Sequence, residues 1–135
     1  MNRLRTIHLI IGVTGLIAFI LTGQYMAHVH DGLKSMPDGP RMMHRSAHIY
    51  LLWASLLNLL LGPYLTIATH ARARLMQAIA SAMLLAAPFM LCYSFLKESN
   101  HPQLLRPITQ YAIFLAAAGG VMHAIAGAWR RDQSR

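Results

Sequence analysis

The chain has 135 residues, 56% of them hydrophobic and only 12% charged, with a mean hydropathy of +0.41. An ordinary soluble domain carries about a quarter charged residues, so this composition excludes one. The net charge of +8 does not point to nucleic acid, because the basic residues bracket apolar runs and form no dense patch interleaved with aromatics.

Four runs lack any charged residue: Ile7 to Met26, His48 to Thr66, Leu75 to Leu96 and Ile108 to Trp129. A helix of about 20 residues, at about 1.5 Å each, crosses a hydrocarbon core of about 30 Å. The first run gives a helix over about 6–28. "MNRLR" would serve as the basic start of a secretory signal, but the apolar run is too long for one. Its exit, "GQYMAHVHD", offers no small-residue cleavage site. The connection "HDGLKSMPDGPRMM" carries two glycines, two prolines and a Pro-Asp-Gly turn signal. A second helix is predicted over 44–67, with Gly62 and Pro63 bending its end. "HARAR" is a short turn. The third helix, over 74–96, contains Pro88 as a kink. After "KESNHPQLLRP" the fourth runs over 107–130, with Pro107 in its first turn. Short connections predict an all-α, up-down-up-down four-helix transmembrane bundle forming a single domain over 1–135, in which the first and fourth helices are neighbours.

Basic residues set the expected orientation. Arg3, Arg5, Arg72, Arg74, Arg130, Arg131 and Arg135 fall on one side. Lys34, Arg41, Arg45, Lys97 and Arg106 fall on the other, with Asp31, Asp38 and Glu98. Both termini are expected to be cytoplasmic, in a bacterial inner membrane. The single cysteine, Cys92, lies inside the third run and reads as a small buried apolar residue.

Polar residues are the informative ones in a bilayer. His8, His70 and His123 belong to the inner half; His28, His30, His44, His48 and His101 to the outer half. On the fourth helix Ala112, Ala116, Gly119 or Gly120, His123 and Gly127 form one stripe; on the first, His8, Gly12, Gly15 and Phe19 form another. In both, glycine follows histidine by four residues: Gly12 after His8 and Gly127 after His123. A haem needs an imidazole nitrogen on its iron and small residues one turn away, so two such motifs predict a bis-His haem b site. Arg3, Arg5, Arg130 and Arg131 would neutralise the propionates. The same stripes also fit plain small-residue packing between membrane helices.

The segment "MHAIAGAWRRD", Met122 to Asp132, resembles the haem-ligating helix of succinate dehydrogenase membrane-anchor subunits, in which His-Ala-x-x-Gly-x-Trp recurs; His123, Ala124, Gly127 and Trp129 match. "HRS", His44 to Ser46, resembles the His-Arg-x-Ser segment near the quinone pocket of the partner anchor. The resemblance implies haem chemistry at His123. Those anchors have three spans, against four expected here. "RSAHIYLLWASLLNLLLGPYL" is similar to a segment of small bacterial inner-membrane proteins, which implies a location.

In the outer half, His44 and His48 share a helix face at i,i+4, and His28, His30, Asp31, Met26, Met36, Met42 and Met43 lie nearby in sequence. Thioether with imidazole is a copper-selective set, so His28, His44 and His48 are candidate ligands for copper or another metal. A second haem on His28 and His48, with Arg41 and Arg45 at its propionates, uses the same residues. Arg45 also suits a quinone headgroup. A third reading is an interfacial belt that includes Tyr25, Tyr50 and Trp53.

Ser55, Asn58, Gln77 and Ser81 are expected to bridge the second and third helices by hydrogen bonds, each worth about 0.6 kcal/mol. Gln24, Thr109, Gln110 and Tyr111 are candidate quinone-pocket residues. Met76, Met83 and Met90 read as core packing. No Asp or Glu lies within a span, which argues against a carboxylate-based proton-coupled transporter. No Ser-His-Asp arrangement, phosphate loop or HExxH motif is present. The leading expectation is a small b-type cytochrome passing electrons between quinol and an acceptor, with lipid, quinone and a partner subunit or second copy as its contacts. The alternatives are a copper or other metal-binding membrane protein and a structural accessory subunit.

Overall fold

The computed structural model describes residues 3–99 and 105–132, with the side chains of 129–132 left aside. Four helices account for nearly all of it: α1 (Arg3–His28), α2 (Asp38–Tyr64), α3 (Ala71–Lys97) and α4 (Pro107–Asp132), with a 3-10 turn at Asp31–Leu33. All four are long and apolar enough to cross a membrane. At 26 or 27 residues each reaches about 40 Å, more than the hydrocarbon core requires.

The helices run longer than the apolar runs that predict them. α2 starts at Asp38 rather than 44, because Pro37 holds extended backbone before it and Pro40 falls in its first turn, where the missing N–H costs nothing. Its last turn absorbs Pro63 and stops at Tyr64. The fourth helix begins at Pro107 as expected. Both oxygens of Glu98 reach its first turn: Oε1 accepts from the Ile108 N–H at 2.6 Å, and Oε2 from the Thr109 N–H at 2.9 Å and the Thr109 hydroxyl at 2.7 Å. A carboxylate at a helix N-terminus satisfies orphan donors and meets the positive end of the dipole.

Glycines decide which helices pair. A Cβ on Gly12 would lie 2.7 Å from the Leu59 backbone nitrogen, and one on Gly15 would strike the Ser55 hydroxyl. On the other side of the bundle a Cβ on Gly119 would lie 2.9 Å from the Ala80 carbonyl oxygen. α1 therefore lies tight on α2, and α4 on α3, with the two pairs joined chiefly along α2 and α3. This is small-residue membrane packing. It corrects the expectation that the first and fourth helices are neighbours. Gly12 and Gly15 turn the close-packing face of α1 toward α2. The core between the pairs is Leu51, Ala54, Leu84, Ala87, Leu91, Ala112 and Ala116.

A methyl group at Gly12 meets backbone, whereas one at Gly120 meets open space. Gly12→Ala is expected to lower stability by about 1–3 kcal/mol through overpacking. Gly120→Ala gains up to about 1 kcal/mol of helix propensity. Thermal unfolding in detergent separates the two by the sign of the midpoint change.

Candidate functional site

Each helix places one polar side chain in a single buried chain, set in the N-terminal halves of α1 and α3 and the C-terminal halves of α2 and α4. Asn58 on α2 spends both amide protons on carbonyls: Ala54 at 2.9 Å within its own helix and Leu84 of α3 at 2.8 Å. Its Oδ1 can then only accept. It takes the Nδ1 proton of His8, on α1, at 2.7 Å. A neutral His8 with Nδ1 protonated presents a bare lone pair at Nε2, to which the Ser81 hydroxyl of α3 donates at 3.0 Å. With its own proton so directed, Ser81 Oγ accepts from Nε2–H of His123, on α4, at 3.0 Å. The hydrogen bonds thus run in one direction, from His123 through Ser81 and His8 to Asn58. His8, Asn58 and Ser81 are at most 1% exposed and His123 9%.

His123 also lines a groove of about 310 Å³ between α2, α3 and α4. Leu57, Leu60, Leu61, Leu65 and Leu84 form its apolar wall, with Tyr64 at the end of α2. Gly120, Ala124 and Gly127 form the α4 side, and neither glycine has an atom within 4 Å of where a Cβ would sit. With Nε2 committed to Ser81, Nδ1 is the ring nitrogen of His123 left for a molecule in the groove. Gln77 lines the groove too, but it is held by the α2–α3 connection: its Nε2 donates to the Thr66 carbonyl and its Oε1 accepts from the Ala68 N–H.

The structure thus brings His8 and His123 together, with ring centres 6.1 Å apart and planes at 79°. It does so around a hydroxyl. A haem iron ligated by both imidazoles needs both Nε2 lone pairs and room for the macrocycle between the rings. Here Ser81 bonds both nitrogens and Gly12 is packed against Leu59. This arrangement does not fit a haem between His8 and His123. Of the two glycines expected to cradle it, Gly127 faces open space and Gly12 does not.

His28, His30, His44 and His48 lie toward the other ends of α1 and α2. His28 is exposed and bonded to Gln24 at 2.9 Å. His48 stacks on Phe19 at 3.9 Å and gives its Nδ1 proton to the Thr22 hydroxyl, which itself donates to the Phe19 carbonyl. His44 donates Nδ1–H to the Pro40 carbonyl at 3.0 Å and lies 5.4 Å, ring centre to ring centre, from His30. His28 and His48 are therefore separately engaged rather than paired for a second haem. His28, His44 and His48 do not converge on an ion, and no group of three or more metal-ligating residues is placed for one among the described residues. The i,i+4 spacing of His44 and His48 puts them on one face, but they turn to different partners. Arg45, Gln110 and Tyr111 are exposed, and Thr109 is occupied with Glu98. His101, Arg135 and the side chains of Trp129, Arg130 and Arg131 lie outside the described residues.

Three features escaped the sequence reading. Ser81 joins α1 to α4 rather than α2 to α3, because His8 and His123 converge on it. Glu98 reads as a loop acid but caps α4. Arg106 reads as an outer-side charge but is half-buried, donating to the Ser46 hydroxyl at 2.5 Å. Burial pushes its guanidinium below the ordinary value, and Tyr50 and Glu98 act against that. No family model, curated protein or solved structure matches the chain.

Ser81→Ala leaves a lone pair on His8 and an N–H on His123 buried without a partner. We expect a loss of about 1–3 kcal/mol, read as a lower unfolding midpoint. Replacing the exposed His28 by Ala is expected to leave the midpoint within about 0.5 kcal/mol of wild type.

Proposed function

We propose that the protein is an integral protein of a bacterial cytoplasmic membrane that binds a quinone or quinol headgroup in the groove before His123. In this reading the chain is an up-down-up-down bundle with both termini cytoplasmic, and the groove opens to the cytoplasmic half of the lipid. The observation that carries the proposal is the pairing of an apolar groove with one end of an ordered hydrogen-bond chain. An acyl chain would need no imidazole there. A lipophilic ring bearing a hydroxyl or carbonyl uses both features, since its apolar body meets leucine and its polar edge meets His123.

The chemistry of the residues follows from their hydrogen bonds. A quinol hydroxyl donates to Nδ1 of His123. When a one-electron acceptor protein withdraws an electron from the quinol, its proton passes to Nδ1. The proton on Nε2 of His123 then moves to Ser81, and the Ser81 proton moves to Nε2 of His8. The charge comes to rest on His8, whose Nδ1–H remains on Asn58. The reverse sequence returns a proton to a reduced headgroup. Concerted movement along such a chain needs no group to leave its place.

A second reading keeps haem b as the occupant of the same groove, ligated by His123 from one face. The open space over Gly120 and Gly127 favours it, because a flat macrocycle needs small residues beside its ligand. Haem bound there would supply one-electron chemistry, and the residues' part would be ligation and exclusion of water.

Titration of the detergent-purified protein with a short-chain ubiquinone, followed by calorimetry, tests the first reading. Binding to wild type is expected. His123→Ala and Gly127→Leu, the latter filling the groove, should each weaken it at least tenfold, about 1.4 kcal/mol. Equal affinity in all three proteins would contradict the proposal. A Soret band lost in His123→Ala would select the haem reading.

A further inference from the structure

Pro88 stands well inside α3. A proline there has no N–H for the carbonyl four residues back, and its ring presses on that carbonyl. The carbonyl is that of Leu84, and it is the one to which Asn58 of α2 donates at 2.8 Å. A carbonyl freed in this way inside hydrocarbon needs a donor from a neighbouring helix. Here the donor is the side chain that anchors the buried hydrogen-bond chain. Asn58 gives its other amide proton to Ala54 and accepts from His8.

The chain between Asn58 and His123 has two directions that are both chemically complete. In the one described above, Asn58 accepts from His8, and Nδ1 of His123 is left as a lone pair. In the reverse, the Asn58 amide is turned over and donates to Nδ1 of His8. Nε2 of His8 then donates to Ser81, Ser81 donates to Nε2 of His123, and Nδ1 of His123 carries the proton. Turning the amide over sets its oxygen against the carbonyls of Ala54 and Leu84, acceptor against acceptor. The Leu84 carbonyl, without an N–H from position 88, therefore holds Asn58 in its observed orientation. An N–H at position 88 would engage that carbonyl along the helix and weaken the hold.

The two directions offer the groove opposite chemistry. A lone pair on His123 takes a hydroxyl, whereas an N–H takes a carbonyl. We propose that Pro88, by leaving the Leu84 carbonyl to Asn58, fixes the direction of the chain and so makes the groove select quinol over quinone. The identity of the ligand rests on the quinone reading of the groove; the direction of the chain does not. Quinone binds through its carbonyl only after the chain reverses, so the cost of reversal sets the preference, at about tenfold. Pro88 does not line the groove and is a positioning residue. It lines a separate apolar cavity of about 90 Å³ with Gly15, Leu51 and Cys92, which gives the side chain of Pro88→Val room.

The test restores the N–H with Pro88→Val and Pro88→Ala, both better suited to a helix interior than proline. Short-chain ubiquinol and ubiquinone are titrated anaerobically into the full chain in detergent, and the histidine tautomers of the ligand-free protein are read by 15N–1H correlation. Wild type is expected to bind the quinol about tenfold tighter than the quinone. In both variants that ratio should fall to about threefold or less, with His8 partly protonated at Nε2. A general loss of packing would weaken both forms alike and leave the ratio unchanged. An unchanged ratio, or wild-type tautomers in both variants, would overturn the proposal, as would equal affinity of wild type for the two forms. If wild type binds neither form, the quinone reading fails and the selectivity with it, while the tautomers still decide whether Pro88 directs the chain.

Discussion

A polar group inside hydrocarbon has no water to turn to, and the structure answers that constraint once for all four helices. Asn58, His8, Ser81 and His123 come one from each helix and are joined in sequence by hydrogen bonds of 2.7–3.0 Å. The lipid gives helices no hydrophobic reason to associate. Close packing at Gly12, Gly15 and Gly119 and this chain act together in holding the bundle. The two depend on each other. The glycines bring α1 against α2 and α4 against α3, and only then do His8 and His123 reach Ser81 from opposite sides.

The direction of the chain is set at its anchored end. Because both Asn58 amide protons are spent on carbonyls, every later donor and acceptor is fixed in turn. The same arrangement that satisfies buried groups leaves Nδ1 of His123 uncommitted, on a side chain that lines a lipophilic groove. Structure and proposed function thus rest on the same four side chains. Toward the other ends of the helices His30, Arg41, His44 and Arg106 each keep one buried nitrogen without a partner among the described residues, while Arg41, His44 and Arg106 are hydrogen-bonded through their other nitrogens.

Much of this was legible in the sequence, and what was not has a physical reason. Four spans followed from charge-free runs of sufficient length. His8 and His123 stood out because an imidazole in an apolar run needs a partner. That Asn58 and Ser81 would serve as bridges also followed from their mid-span positions. Asn58 does bridge α2 to α3 as expected; that Ser81 joins α1 to α4 did not follow, because helix order in a bundle depends on which glycine stripe meets which neighbour. The stripes of Gly12 and Gly127 look alike in sequence, yet one is filled by Leu59 and the other is open. His28, His44 and His48 are close in sequence but turn to Gln24, Pro40 and Thr22. Spacing can place ligands on one face, but it cannot say what else that face touches.

The central claim is the directed chain from His123 to Asn58, and histidine tautomers report it. We would record long-range 15N–1H correlations of the ring nitrogens in 15N-histidine-labelled protein in detergent, assigned with His8→Ala and His123→Ala. The account predicts His8 protonated at Nδ1 and His123 protonated at Nε2, with the His123 pattern shifting in Ser81→Ala. Finding His8 neutral with its proton on Nε2, or His123 unaffected by loss of the Ser81 hydroxyl, would contradict it.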